Sequence, residues 1–237
     1  MNTLITRIDK AWYPHFDRNW DDQLFRDTLL QYLCDDSVIL DLGAGAGIVE
    51  QMNFKGLVKR VCGVDLDPRV LNNPMLDEGR IANANSIPYD SAYFDVVFAD
   101  NVVEHLPDPV TVFCEIQRVL KPGGVFIFKT PNKWHYMPTI ARITPYSFHQ
   151  WVNRKRGRAE IDTFPTQYLA NTMVTVKRHA TTAGLLVEKI KLIEGRPEYL
   201  RFMWLTYIIG IIYERTVNFF HFLAPFRILL VGILRKP

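Results

Sequence analysis

Val38-Ile39-Leu40-Asp41-Leu42-Gly43-Ala44-Gly45-Ala46-Gly47 is the stretch that decides the fold. A short, apolar, β-rich run enters a turn with glycine at every second position. Glycine there lets backbone approach a ligand more closely than any side chain would allow. The next such run, Val61-Cys62-Gly63-Val64, ends on Asp65, 22 positions after Gly43. An acid at that distance, at a strand end, can accept two hydrogen bonds from a ribose diol. Strand, glycine turn and acid together predict a nucleoside site.

Outward from this motif the pattern repeats. Phe94-Asp95-Val96-Val97-Phe98-Ala99 ends at Asp100, and Val125-Phe126-Ile127-Phe128 ends at Lys129-Thr130. These runs lack polar alternation, as strands covered on both faces of a parallel sheet do. Helical segments lie between them. In Pro109–Leu120 the residues Val112, Phe113, Ile116, Val119 and Leu120 share a face, and Pro122-Gly123-Gly124 turns the chain back. Residues 1–36 read as a helical cap, with Leu24, Phe25, Leu29 and Leu33 at helical spacing. Strands alternating with helices predict a doubly wound α/β sheet.

A chain of 237 residues with 48% hydrophobic and 22% charged residues has an ordinary globular balance, which excludes whole-chain disorder and fibrous classes. Cys34, Cys62 and Cys114 stand far apart, which excludes a disulfide scaffold and a cysteine zinc site and fits a reducing, cytoplasmic setting. No His, Asp and Glu set has metal-ligand spacing, so no metal is expected. Met1–Lys10 is polar, and no leader is expected. Residues 1–128 carry 11 Lys/Arg and 19 Asp/Glu, a net of −8, whereas residues 129–237 carry 17 and 6, a net of +11. The basic half either faces an anionic partner or is decorated by solvated charge.

The turn lacks the spacing of a dinucleotide fingerprint, since Ile48 stands where the third glycine would fall. It begins on Asp41, which would repel a pyrophosphate and attract an ammonium or sulfonium. From here the chain resembles the class I S-adenosylmethionine-dependent methyltransferases of the type 11, small-molecule kind. The blocks that carry the likeness are Leu40–Gly47, Gly63-Val64-Asp65, Ala82–Tyr89, Phe94–Val97, Val103-Glu104-His105-Leu106, Glu115–Gly124 and Thr130-Pro131-Asn132. The resemblance implies a Rossmann-like seven-stranded sheet with added helices, S-adenosylmethionine as cofactor and S-adenosylhomocysteine as its product. It implies that Gly43, Gly45 and Gly47 cradle the methionine part above Asp41, and that Asp65 holds the ribose hydroxyls. Asn83 and Ala84 then meet the adenine edge, and Asp100 lies near the methionine amino group. Asn83 departs from the family's usual Asp; its amide oxygen can still accept, without the charge, so weaker adenine binding is expected.

Domain organisation follows. A cap at 1–36 precedes a cofactor core at 37–130. An aromatic and basic acceptor-side insert follows at 131–170, and then the rest of the sheet at 171–237. Leu185–Ile193 and Ile228–Arg235 read as the last two strands, with residues 196–226 inserted between them. His105, His135 and His149 are the candidate bases, because an imidazole with an unperturbed pKa near ~6.5 suits proton removal. Adenine amino-methylation is disfavoured, since Asp100-Asn101-Val102-Val103 lacks the diproline block. Cytosine methylation is disfavoured too, since Cys114 follows Phe113 within a helix. The expected reaction is methyl transfer, at oxygen, to a small-molecule, glycan or lipid-linked acceptor. Two alternatives stay open: RNA methylation through Arg154-Lys155-Arg156-Gly157-Arg158, and a non-catalytic cofactor-binding subunit. Residues 202–226 are apolar and aromatic, with Glu214, Arg215, Asn218 and His221 as a polar stripe and Arg201, Arg215 and Arg227 at the flanks. They suit peripheral contact with the inner face of an anionic membrane, or a homodimer interface, and no run is long enough to span a bilayer.

Overall fold

The computed structural model describes residues 3–16, 19–143 and 165–237. Its centre is one seven-stranded sheet built from β1 (Val38–Leu42), β2 (Arg60–Asp65), β3 (Glu78–Ile81), β4 (Phe94–Asp100), β5 (Leu120–Pro131), β6 (Leu186–Ile193) and β7 (Leu229–Arg235). The strands lie in the order β3-β2-β1-β4-β5-β7-β6. The first five pair in parallel, with Leu40 opposite both Cys62 and Val97, and Asp100 opposite Lys129. β7 runs against β5: Lys236 N–H bonds the Gly124 carbonyl at one end, and Asn132 N–H the Ile228 carbonyl at the other. Residues 194–228 lie between the last two strands in the chain. The outer strand β6 carries Glu188, Lys189 and Lys191 along its length, which guards an exposed edge.

The helices are α1 (Thr3–Trp12), α2 (Trp20–Leu30), α3 (Pro109–Val119), α4 (Tyr136–Ile143), α5 (Met173–Thr182) and α6 (Trp204–Phe219). Their ends follow local chemistry. Asp108 accepts from Thr111 N–H before Pro109 at the start of α3, and Thr172 forms a reciprocal cap with Thr175 at the start of α5. Side-chain alternation on β5 shows why Val125–Phe128 is apolar at every position. Phe126 and Phe128 point to α3, where Phe113 meets both rings at 5.5 and 6.1 Å. Lys129, on the opposite face, points to α2, with its ammonium 5.7 Å from the Phe25 ring centre.

Chain contacts form two compact units. One holds residues 21–130, 166–191 and 230–237, and so most of the sheet with α2, α3 and α5; the other holds residues 1–20, 131–165 and 192–229. The helical stretch at 1–36 is divided between them, with α1 in the second unit and α2 in the first.

The second unit is built on α6, and its orientation differs from a simple amphipathic reading. Tyr207, Gly210, Ile211, Glu214 and Val217 face inward against Ile5 and Tyr13 of the α1 region. Glu214 is therefore buried, accepting from Tyr13 Oη at 2.9 Å, and does not belong to a solvated stripe. His221 lies beyond the helix end. The outward face carries Trp204, Leu205, Ile208, Ile209, Ile212 and Phe219, all exposed. Two of the flanking arginines are engaged internally: Arg201 with Asp9 and Glu198, and Arg227 with the carbonyls of Leu192 and Val217. Arg215 alone of the three is largely exposed. No helix among the described residues is long and apolar enough to cross a membrane.

Candidate functional site

Parallel strands put their carboxyl ends on one edge of the sheet, and Asp41, Asp65 and Asp100 lie at or near those ends, with the glycine turn following β1. Gly43, Gly45 and Gly47 hold φ of 85°, 50° and 71°, the left-handed region that disfavours any side chain. At Gly43 and Gly47 a Cβ would also strike Val102 and Asn73, whereas at Gly45 the nearest atom is Asp65 Oδ2 at 3.8 Å. The loop is thus packed tightly at its two ends and open at its middle glycine.

Asp65 does more than wait at a strand end. Its Oδ2 accepts from Gly45 N–H and its Oδ1 from Asp67 N–H, both at 2.8 Å. Each carboxylate oxygen has a further lone pair, so the same acid can brace the loop and accept from a diol. Asn73 closes the other side by donating to the carbonyls of Ala44 and Gly45 at 3.0 and 3.3 Å. Beyond β3, Ala82 N–H bonds the Asp65 carbonyl, which brings the exposed Asn83 and the half-buried Ala84 beside that acid. The Asn83 side-chain oxygen accepts from Asn85 N–H at 3.2 Å, shaping this turn.

Asp41 is buried beneath the loop. Burial, then the charges of Asp100 and Asp65, push its carboxyl well above the usual carboxylate range. Burial thus shifts Asp41 toward its neutral form, with Asp100 and Asp65 as the acids that act on it. Asp100 itself is pushed up to about 6, chiefly by burial, against the lowering influence of Lys129. Lys129 escapes a motif reading, although a lysine closing an apolar strand is the signal that could have found it. It is fully buried, 3.0 Å from Asp100, 3.2 Å from Asp21 and bonded to Asp22.

The turn after β4 holds Glu104 and His105. Glu104 is buried and accepts from Thr130 Oγ1 at 2.6 Å, and Asn171 donates to that hydroxyl at 2.7 Å. Burial raises the Glu104 carboxyl above its ordinary range. His105 is partly exposed, with Nε2 4.0 Å from Glu104 Oε1. His135 lies in the other unit and is 1% exposed. Its Nδ1 accepts from Met137 N–H, its Nε2 stands 3.5 Å from Glu194, and its ring packs on Tyr136 and Tyr213. His149 and the basic run Arg154–Arg158 lie outside the described residues. No group of three or more His, Cys, Asp or Glu side chains could hold a metal among the described residues.

A second cleft, lined by Arg60, Glu78, Arg80, Tyr89 and Tyr93, opens at the opposite, amino-terminal ends of the strands. Its charges are already paired, Arg60 and Arg80 both with Glu78.

Residues 40–128 match the family model of a methyltransferase domain. A Mycolicibacterium smegmatis protein bearing the name "Probable S-adenosylmethionine-dependent methyltransferase" is 34% identical over 138 residues, 56% of this chain and 51% of that protein. A ubiquinone biosynthesis O-methyltransferase of Idiomarina loihiensis is 34% identical over 163 residues, 65% of this chain and 66% of that protein. The chain thus spans about half to two thirds of these relatives' length. Among solved structures, geranyl diphosphate C-methyltransferase of Streptomyces coelicolor shares the fold, with a TM-score of 0.57 at 15% identity over 91% of this chain and 79% of that one.

Proposed function

This chain carries a methyltransferase domain of the class I, S-adenosylmethionine-dependent family, and we propose that it moves a methyl group from S-adenosylmethionine to an oxygen of a small-molecule, glycan or lipid-linked acceptor. The observation that carries the reading is the bond from Gly45 N–H to Asp65, which joins an open, left-handed glycine to an acid with lone pairs to spare. A nucleoside with a free ribose diol fits that junction, and the lack of a helix start there disfavours a pyrophosphate. The name of the Idiomarina loihiensis relative supports oxygen as the receiving atom.

Bound S-adenosylmethionine supplies an activated methyl group on a sulfonium. The chain's own residues then have four tasks. Asp65 accepts from the ribose hydroxyls, Asn83 and Ala84 meet the adenine edge, the glycine turn admits the methionine backbone, and Asp100 faces its ammonium. Holding an acceptor oxygen in line with the methyl contributes about 7–11 kcal/mol through positioning alone. His105 is the better placed base of the two described candidates: it is partly exposed beside a buried carboxylate, whereas His135 is enclosed.

The route to a lipid-linked acceptor is the outward apolar face of α6, which suits peripheral contact with a membrane surface through residues 202–226. Glu198 is bonded to Arg196 and Arg201, and the buried Glu214 pairs at 3.3 Å with Arg215, whose side chain stays more than half exposed. Two measurements test the proposal. Incubation of the protein with isotope-labelled S-adenosylmethionine and cell extract should give an oxygen-methylated product by mass spectrometry; absence of any labelled product alongside tight cofactor binding would favour a non-catalytic subunit. Co-sedimentation with anionic liposomes should be seen at low salt; a stable dimer that ignores liposomes would reassign the apolar face to a subunit interface.

A further inference from the structure

We propose that Lys129 is a positioning residue of this site: it ties the start of α2 to the ends of β4 and β5, and it keeps Asp100 ionised where the cofactor's ammonium would meet it. The second half rests on the placement of Asp100 given above.

The geometry is specific. Asp100 and Lys129 are direct register partners on neighbouring parallel strands, so their side chains leave the sheet on the same face. That face meets the first turn of α2, where Asp21 and Asp22 stand at the positive end of the helix dipole. One fully buried ammonium therefore gathers three carboxylates from two elements, Asp21 and Asp22 of α2 and Asp100 of β4. Burial by itself would drive a lysine toward the neutral form, yet the three acids hold Lys129 charged, with its pKa raised. The set keeps a surplus of negative charge.

Asp100 is further held by Asn101, which adopts a left-handed φ of 53° and donates to Asp100 Oδ1 at 2.8 Å. Lys129 also contacts Oδ1. Among the described residues both contacts fall on this one oxygen, which leaves Oδ2 to accept from a ligand. The other titratable groups facing the set are Asp41 on β1, Asp65 on β2, and Glu104 with His105 after β4. All but the histidine are acids, so Lys129 is the cation of the described set that keeps Asp100 from protonating in the neutral range.

The experiment is calorimetric titration of S-adenosylmethionine between pH 5 and pH 9 into the wild type, Lys129→Met, Lys129→Arg and Asp100→Asn. Carbon-13 titration of the Asp100 carboxyl in the cofactor-free protein accompanies it. Wild-type affinity should fall on the acid side of about pH 6, as Asp100 takes up its proton. In Lys129→Met the fall should move above pH 7. With the midpoint raised about two units, to near pH 8, binding at pH 7 should be about 10-fold weaker, while binding at pH 9 stays near wild type. Lys129→Arg should restore the wild-type midpoint, and Asp100→Asn should abolish the acid limb.

A loss that is equal at every pH, with an unmoved Asp100 titration, would overturn the proposal and leave Lys129 as packing. An Asp100 titration that moves without any change in the binding profile would keep Lys129 as the charge partner and remove Asp100 from the ammonium site. If Lys129→Met does not fold, the double variant Asp21→Asn/Asp22→Asn should shift the Asp100 midpoint downward, and no shift there would overturn the proposal as well.

Discussion

The sheet unit and the α6 unit bury polar groups for different ends. At the carboxyl edge of the sheet, Asp65 and Asp100 stand beside the buried Asp41 and the buried Lys129, and the carboxylates outnumber the one ammonium. In the α6 unit, Glu214, Arg196, Glu194 and His135 are buried, and their partners are the chain's own groups. Glu214 meets Tyr13, Arg196 meets the Phe16 carbonyl and Glu198, and Glu194 meets Ile228 N–H and His135. A buried charge is costly unless paired, so in that unit the polar groups are internal fasteners and the apolar face is left for the outside. In the sheet unit the surplus negative charge is left for a cation. Burial alone does not mark a site; an incomplete balance of charge at a strand edge does.

Four measurements break or sharpen this contrast. The largest effect belongs to the α6 unit. Tyr207 is fully buried and its hydroxyl donates to Asp9 at 2.5 Å. Tyr207→Ala should cost about 3–5 kcal/mol in chemical denaturation; a loss near zero would show that α6 does not anchor its unit. Next comes Asp65→Ala, which removes the proposed ribose acceptor and the brace on Gly45 together. Cofactor affinity should drop roughly 10- to 100-fold by calorimetry, and unchanged affinity would remove the ribose assignment.

Asp100→Asn comes third and works through stability. Asp100 has a folded pKa of about 6, above its ordinary 3.8. The folded state therefore binds the proton more tightly than the unfolded state does, and stability falls as pH rises through the window between those two values. Above it the wild type carries a penalty of roughly 1–3 kcal/mol. The Asn variant should melt higher than the wild type at pH 7.5 and equal it near pH 4, while binding cofactor less well. Smallest is Ile209→Ser on the exposed face of α6, where stability should change by less than about 0.5 kcal/mol. A larger loss would mean that the face is covered in solution, and sedimentation should then reveal the second copy that covers it.

The sequence by itself determined the sheet and the glycine turn after its first strand. Val38–Gly47, Asp65 and Asp100 were legible because each is a local pattern: an apolar run, a glycine that must take positive φ, and an acid at a strand end. The order of the last two strands was legible for the same reason, as two β-rich runs around an insert. Only the tertiary structure decided which partners close the site. Lys129 meets Asp21 and Asp22 across 108 and 107 positions, and a lysine in an apolar strand does not announce its acids. Only the tertiary structure, too, turned α6 around. Helical periodicity places Glu214 on a different side from Ile208, Ile209 and Ile212, but it does not say which side is covered. That was settled by Tyr13, 201 positions away, whose hydroxyl satisfies Glu214 and so lets the carboxylate face inward with Ile211 while Ile208, Ile209 and Ile212 face out.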